Sequence, residues 1–207
     1  MKVLLINGSP HKNGCTDFAL CEAEKELNKA DIETEILHIG NKPVRGCIAC
    51  NKCKTSHKGC AFDDDLANVI IEKSYQCDGL IVGSPVYFSS ANGSLISLLD
   101  RVFCAGNGFA FKPGACIVSA RRAGTTSTID QLNKYFSISN MPIVSSQYWV
   151  MVHGNSPEEV KQDLEGIQTV RVLARNMAWL LKCIRSGKEN GINIPQPEVK
   201  VRTNFIR

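Results

Sequence analysis

The chain has 207 residues, of which 43% are hydrophobic and 21% charged, and such a chain can bury roughly two-thirds or more of its surface around one core. Its 24 basic and 20 acidic residues leave a net charge of +4, which is too small and too scattered for a nucleic-acid surface. The first apolar run, residues 3–6, is too short for a signal peptide or a membrane span. We therefore expect a soluble, cytoplasmic protein with neither nucleic acid nor a membrane as its partner.

Short β-type runs alternate with helical patterns along the chain, which is typical of parallel strands joined by crossover helices. In chain order, the pattern predicts a strand at 2–7, a helix at 16–29, a strand at 32–39, a loop at 40–62, a helix from 63 to about 74, a strand at 79–83, a helix at 93–103, a strand at 115–119, a helix at 125–137, a strand at 143–152 with a break near Ser145, and one long helix at 157–184. These elements predict one α/β domain, residues 1–185, followed by a tail at 186–207. Because ligands of open α/β sheets bind at the carboxyl ends of the strands, the loops after the strands form the candidate site.

The loop after the first strand has the composition of an anion site. It reads Gly8-Ser9-Pro10-His11-Lys12-Asn13-Gly14-Cys15-Thr16 and leads directly into a helix, whose free N–H groups favour a phosphate. The glycine spacing fits neither a Walker loop nor a dinucleotide fingerprint. The sequence predicts a terminal monophosphate held by Ser9, Asn13, Thr16 and the amides of residues 11–16, and the alternative is a plain turn with Thr16 as a helix N-cap.

Two later segments strengthen the phosphate hypothesis, because together with the first loop they resemble a known family. The second segment begins with Ser84-Pro85-Val86-Tyr87-Phe88 and continues to Asp100-Arg101. It is similar to the S-P-V-Y-F and D-R stretch of the NAD(P)H-dependent FMN reductases and iron–sulfur flavoproteins, which are a branch of the flavodoxin-like proteins. Ser119-Ala120-Arg121-Arg122-Ala123-Gly124 is similar to their third flavin loop. The first loop resembles their G-S-P-R-K-x-G-N-T motif, except that His11 and Cys15 replace its Arg and Asn.

The resemblance implies a flavodoxin-like three-layer sandwich with a five-stranded parallel sheet in the order 2-1-3-4-5, assembled as a homodimer or homotetramer. It also implies bound FMN, with the three loops as cofactor-binding segments. The candidate FMN-binding residues are Ser9, His11, Asn13, Gly14, Cys15, Thr16, Pro85, Val86, Tyr87, Phe88, Ser119, Ala120, Arg121, Arg122 and Gly124. Plain strand-end packing is the alternative for Tyr87, and Arg101 beside Asp100 is interpreted as structural, in a solvated helix pair.

The loop at 40–62 carries a compact run of cysteines, Cys47-x2-Cys50-x2-Cys53-x6-Cys60, within a basic segment that also contains His57. The run resembles the ligands of a [4Fe–4S] cluster and of the iron–sulfur flavoproteins, whereas zinc sites with four cysteines are usually split into two separated pairs. A cysteine-containing loop without any cluster remains an alternative. A cluster in this loop is expected beside the flavin edge, as an electron relay. The other six cysteines are interpreted mostly as packing residues.

These motifs predict an FMN-dependent oxidoreductase that moves electrons from NAD(P)H through bound flavin to a small acceptor, such as a quinone, free flavin or iron. The alternative is an iron–sulfur flavoprotein that receives electrons from a ferredoxin-like partner. A flavin-binding regulatory module is the third hypothesis. No catalytic side chain is predicted, because the flavin itself carries the redox chemistry and the protein positions it.

Overall fold

The structure is a computed structural model, and it describes residues 1–56, 58–199 and 201–206. His57, named above with the cysteine loop, lies outside the described residues, as do two positions of the predicted tail. The strands are β1 (Lys2–Asn7), β2 (Glu33–His38), β3 (Gly79–Tyr87), β4 (Ser90–Ala91), β5 (Gly114–Ala120) and β6 (Met151–His153). The helices are α1 (Cys15–Lys29), α2 (Lys52–Ser56), α3 (Ala67–Gln76), α4 (Gly93–Ala105), α5 (Thr125–Ile138), α6 (Pro157–Val160) and α7 (Leu164–Glu189).

The main sheet is parallel, with the strands in the order β2-β1-β3-β5-β6. The two-residue β4 adds to the sheet only as the antiparallel partner of the end of β3. With β4 set aside, the order is the predicted 2-1-3-4-5, and the α/β class and the parallel sheet are confirmed. The order reverses at β1, so the crevice at the carboxyl ends of β1 and β3 is where an open sheet of this kind binds ligands.

Both faces of the sheet are covered, which explains the nearly continuous apolar sequence of β1. Side chains alternate between faces along a strand. Val3 and Leu5 therefore pack on the side of α1 and α7, while Leu4 and Ile6 pack on the side of α3, α4 and α5. The two buried clusters hold the carboxyl ends of the strands at one edge, and the loops that follow the strands therefore lie close together there.

Three predicted elements differ from the structure, and for two of them the reason is a local side-chain hydrogen bond. The predicted helix at 63–74 begins only at Ala67, since Asp65 accepts a hydrogen bond from the Ala67 amide at 3.0 Å. The single helix at 157–184 is two helices, because Asp163 accepts from the Gly166 amide at 2.9 Å and caps the start of α7. Most of the predicted strand at 143–152 leaves the sheet, and only its last two residues lie in β6.

Residues 145–149 run beside α7, whereas Val144 and Val150 on either side keep backbone hydrogen bonds to Gly114 and Val118 of β5. Ser146 Oγ donates to the Thr169 carbonyl at 2.7 Å, and Asn176 Nδ2 donates to the Ser145 carbonyl at 2.9 Å. Ile143 keeps a single bridge with Gly114. Among the residues that the structure describes, we find no helix with the length and apolarity required to cross a bilayer.

Candidate functional site

The first loop is built as an anion cradle at the start of α1. The Ser9 amide donates to Asn7 Oδ1 at 3.0 Å, and the His11 amide donates to Ser9 Oγ at 3.1 Å. These bonds curl the loop above the end of β1. Among the described residues no side chain caps the first turn of α1, so the amides of that turn are left for a ligand. The alternative of a turn with Thr16 as N-cap is therefore wrong: the N-cap residue is Gly14.

Thr16 joins the first loop to the third. Its hydroxyl lies 2.7 Å from Ser119 Oγ, and the two are hydrogen-bonded although both residues are nearly fully buried. Cys15 makes a similar link, since its thiol donates to the carbonyl of Gly154 at 3.6 Å. Burial raises the pKa of the Cys15 thiol. The two residues hold the loops after β1, β5 and β6 around one space.

That space is a cleft of about 490 Å³ at the carboxyl ends of the strands, within the usual size range of small-molecule sites. Twelve of the fifteen predicted FMN-binding residues line it: Ser9, His11, Asn13, Gly14, Cys15, Thr16, Pro85, Val86, Tyr87, Ser119, Ala120 and Arg121. Lys12 lines it as well and adds a positive charge. Burial raises the pKa of the Tyr87 hydroxyl, and the ring is partly exposed toward the cleft mouth.

Three predicted residues lie beside the cleft instead. Phe88 is fully exposed at the tip of the β3–β4 hairpin, where Phe88 and Ser89 both have positive φ angles of 51° and 58°. Gly124, with a φ of +92°, supports that hairpin, because a Cβ there would lie 2.7 Å from the Ser89 Cα. Arg122 is exposed. We infer that these residues shape the rim.

The sequence analysis missed the fourth wall of the cleft, which follows β6. Gly154, Asn155 and Pro157 line it, and Ser156 caps α6 by accepting from the Glu159 amide at 3.3 Å. The signal was available in principle, because these residues also follow the carboxyl end of a strand.

The cysteine loop forms a second site. Cys47, Cys50, Cys53 and Cys60 all line one small cavity of about 30 Å³ against α4, and all ten cysteines of the chain are free thiols. Cys104, interpreted from the sequence as a packing residue, lines the same cavity and is exposed. That interpretation is therefore wrong for Cys104. Cys77 and Cys116 are buried, as packing residues should be.

Arg101 fastens the cysteine loop to α4. Its side chain is only 1% exposed and pairs with Asp65. Its Nε donates to Cys60 Sγ at 3.2 Å, and its terminal nitrogens donate to the Arg45 carbonyl at 3.2 Å and the Phe62 carbonyl at 2.9 Å. The predicted solvated pair with Asp100 is wrong. Asp100 instead accepts from the Tyr135 hydroxyl at 2.5 Å, and burial, followed by this bond, raises the pKa of that hydroxyl.

The cysteine cavity and the cleft lie at opposite ends of α4. Asn92, the N-cap residue of α4, donates through its side chain to the Gly8 carbonyl at 2.7 Å, beside the cleft. Cys104 lies in the last turn, about 18 Å farther along the helix at about 1.5 Å per residue. The two spaces are therefore separate along α4, and the position of the cysteine loop beside the flavin edge stays a prediction.

The thiols of the cysteine cavity are the ligand type of an iron–sulfur cluster, but as arranged they do not enclose a site for one. Within the described ranges, no group of three or more His, Cys, Asp or Glu side chains is arranged around one metal ion. In a [4Fe–4S] cluster each thiolate binds a different iron, so the sulfurs surround the whole cluster. The four loop cysteines share one cavity, and the cation at Cys60 favours a negatively charged group. Because the cavity is small, a cluster requires the loop to move outward from α4.

The strand order and the ligand-sized cleft at its switch point define a flavodoxin-like α/β protein with a candidate nucleotide site. The sequence profile described as NADPH-dependent FMN reductase matches residues 1–156. The chain belongs to this family, and it is thereby a flavoprotein oxidoreductase of the FMN reductase type.

Individual relatives agree with this assignment. An iron–sulfur flavoprotein of Methanocaldococcus jannaschii is 35% identical over 194 residues, covering 89% of this chain and 100% of that protein. An iron–sulfur flavoprotein of Methanosarcina thermophila is 30% identical, covering 91% of this chain and 100% of that protein. An archaeal flavodoxin structure matches with a TM-score of 0.60 at 10% identity, covering 88% of this chain and 99% of that chain, which supports the fold alone.

Proposed function

We propose that this chain is an electron-transfer iron–sulfur flavoprotein, with FMN in the strand-end cleft and a [4Fe–4S] cluster held by Cys47, Cys50, Cys53 and Cys60. One observation carries the proposal: the four loop cysteines line one cavity, and the buried guanidinium of Arg101 donates to one of them, Cys60. The full-length similarity to proteins named iron–sulfur flavoprotein supports it.

The residues of the cleft suit FMN in both size and charge. The uncapped first turn of α1, with Ser9 and Thr16, would hold the phosphate, and Lys12 would add a positive charge beside it. Pro85, Val86 and Tyr87 would form the apolar wall for the flavin ring. When bound, FMN accepts one or two electrons, so it can exchange electrons with carriers of either kind.

The residues of the cysteine cavity would hold the cluster and set its environment. Hydrogen bonds to cluster sulfurs and to thiolate ligands tune a reduction potential, and Arg101 would supply such a bond with a positive charge. Under this proposal the electron donor is a ferredoxin-like protein and the working form is a homodimer or homotetramer.

A second candidate is a flavin reductase in which NAD(P)H reduces the bound FMN, which then passes electrons to a quinone, free flavin or iron. The family match over residues 1–156 favours it, because that family is described by its use of NADPH. In this case the cysteine loop has no part in the reaction.

Anaerobic purification, followed by reconstitution with iron(II), sulfide and FMN, separates the two candidates. The proposal expects one FMN and about four iron and four sulfide per chain. Loss of iron is expected in Cys60→Ala and not in Cys183→Ala, an exposed cysteine on α7. A chain that takes up FMN but neither iron nor sulfide would overturn the cluster, and bleaching of its flavin by NADPH or NADH would favour the second candidate.

We expect Thr16→Val to weaken FMN binding about 10-fold, which corresponds to about 1.4 kcal/mol. The change removes a hydroxyl at the proposed phosphate cradle and leaves Ser119 Oγ without its 2.7 Å partner. Titration of the metal-free protein with FMN measures the effect. Thr169→Val is the matched control, because that hydroxyl is equally buried but donates to the Gly166 carbonyl within α7. Equal FMN affinity in the two variants would contradict a phosphate contact at Thr16.

A further inference from the structure

A separate cavity, of about 160 Å³, lies between β6 and the start of α7. It shares no lining residue with the strand-end cleft, although His153 in its wall directly precedes Gly154 of the cleft. The cavity is smaller than the usual site for a whole cofactor, so it suits a small molecule or one compact head group. This aromatic cavity is lined by Tyr148, Trp149, Met151, His153, Asp163, Glu165, Gly166 and Thr169.

Two aromatic side chains form one corner of the aromatic cavity. Tyr148 and Trp149 are each 56% exposed, and their ring centroids are 5.0 Å apart with an angle of 66° between the ring planes. The face of an aromatic ring carries partial negative charge, so Trp and Tyr attract a cation that lies within about 6 Å of the ring centre. The ring pair therefore offers a cation two aromatic partners at once.

The backbone that carries the two rings is anchored on both sides. Just before the rings, Ser146 Oγ donates to the Thr169 carbonyl of α7 at 2.7 Å. Just after them, the Val118 amide of β5 donates to the Val150 carbonyl at 3.1 Å. The rings are therefore exposed on a fixed segment, and a ligand can bind them without first ordering the chain.

The α7 side of the aromatic cavity carries two carboxylates. Asp163 is fixed, because it accepts from the Gly166 amide at 2.9 Å and from the His153 amide at 2.7 Å. Glu165, in the first turn of α7, is exposed. Among the described residues no Lys or Arg lines this cavity, although basic residues outnumber acidic ones in the whole chain. Capping of α7 accounts for Asp163 but not for the ring pair beside it.

We propose that the aromatic cavity binds a small organic cation of the quaternary ammonium class. A primary ammonium ion needs several hydrogen-bond acceptors, but the Asp163 carboxylate already accepts from two backbone amides. A quaternary ammonium ion donates no N–H hydrogen bond, and ring faces with a nearby negative charge are the surroundings that bind it. The site is separate from the strand-end cleft and from the cysteine cavity, so the inference does not depend on FMN or on a cluster.

Titration of the full-length protein with tetramethylammonium chloride tests the proposal through tryptophan fluorescence. The chain has two tryptophans, so the Trp179→Phe variant leaves Trp149 as the single reporter. We expect a saturable change in its emission with half-saturation at about 1 mM, and no change with potassium chloride at the same concentrations. Choline should bind at least about 10-fold more tightly than 3,3-dimethylbutan-1-ol, which has nearly the same shape without the charge.

Calorimetry compares variants, because its signal does not require Trp149. Trp149→Leu keeps an apolar side chain but has no ring, and it should bind tetramethylammonium at least about 10-fold more weakly than the wild type. Glu165→Gln removes a charge at constant shape and should weaken binding about 3-fold, the size of an exposed charge interaction. Glu72→Gln on α3 is the matched control, since Glu72 is also exposed but lies outside the cavity, and its affinity should be unchanged.

Circular dichroism checks that each variant is folded. Equal affinity of Trp149→Leu and the wild type, or equal affinity for choline and its uncharged analogue, would overturn the cation site. A fluorescence change that potassium chloride reproduces would overturn it as well.

Discussion

Replacing Arg101 with methionine is expected to lower the free energy of unfolding by about 3–5 kcal/mol, the cost of breaking a buried ion pair from one side. The substitution keeps a long side chain in α4 but leaves the carboxylate of Asp65, only 9% exposed, without its cation. The carbonyls of Arg45 and Phe62 lose their donor as well. Urea denaturation followed by circular dichroism measures the change.

The ion pair between Arg185 and Glu189 on α7 provides the control for Arg101. Their charged groups are 2.9 Å apart, but both side chains are more than 60% exposed, and an exposed pair of this spacing contributes about 0.3–0.5 kcal/mol. Arg185→Met should therefore change stability by less than about 1 kcal/mol. A similarly small change in the free energy of unfolding of Arg101→Met would contradict the conclusion that Arg101 holds the cysteine loop against α4.

A second readout separates the loop from the rest of the fold. Arg101 contacts residues on both sides of the cysteines in the cysteine loop. Its loss should therefore expose residues 44–62 to limited proteolysis before the sheet unfolds. Arg101→Lys keeps the charge beside Asp65 but lacks the planar fork that donates to several acceptors at once. We expect it to restore part of the stability and little of the protection of the loop.

The first strand could be predicted well because its sequence carries the signal of burial on both faces. The apolar run of β1 begins and ends within the predicted bounds. The rule that ligands bind at strand ends indicated the loops, and the family resemblance implied which of their residues line the cleft. Hence twelve predicted residues line one cleft although they come from three distant segments.

Three of the errors arose where the partner of a side chain is distant in sequence. Arg101 stands beside Asp100 in the chain, yet its ion pair is with Asp65, and no local pattern reveals that choice. Cys104 looks like an isolated cysteine of a helix until the loop folds onto α4. The segment 145–149 is predicted as part of a strand, but its hydrogen bonds go to α7. Tertiary contacts decide all three cases.

Replacing Gly8 with alanine is expected to destabilise the protein by about 2–3 kcal/mol, in the upper range for overpacking a core. A Cβ at this position would lie 2.4 Å from Leu95 Cδ2 and 2.8 Å from the Gly83 carbonyl oxygen, and Leu95 is completely buried. To relieve these contacts the end of β1 must shift away from β3. That shift stretches the hydrogen bond from the Gly8 amide to the Gly83 carbonyl, now 2.8 Å.

The same shift should reduce FMN affinity by at least about 10-fold, or about 1.4 kcal/mol, because the phosphate cradle begins at the next residue. The Gly8 carbonyl also accepts from Asn92 Nδ2 at 2.7 Å, so the start of α4 would move with it. Gly93→Ala is the matched control. Gly93 is the first residue of α4, and apart from its chain neighbours and the backbone of its own helix no described atom lies within 4 Å of a Cβ there. Alanine at that position should be neutral or stabilise the protein by up to about 1 kcal/mol. FMN titration and urea denaturation of both variants provide the comparison. Equal FMN affinity and equal stability of the two variants would show that the close packing of Gly8 against Leu95 and Gly83 does not hold the phosphate cradle in place.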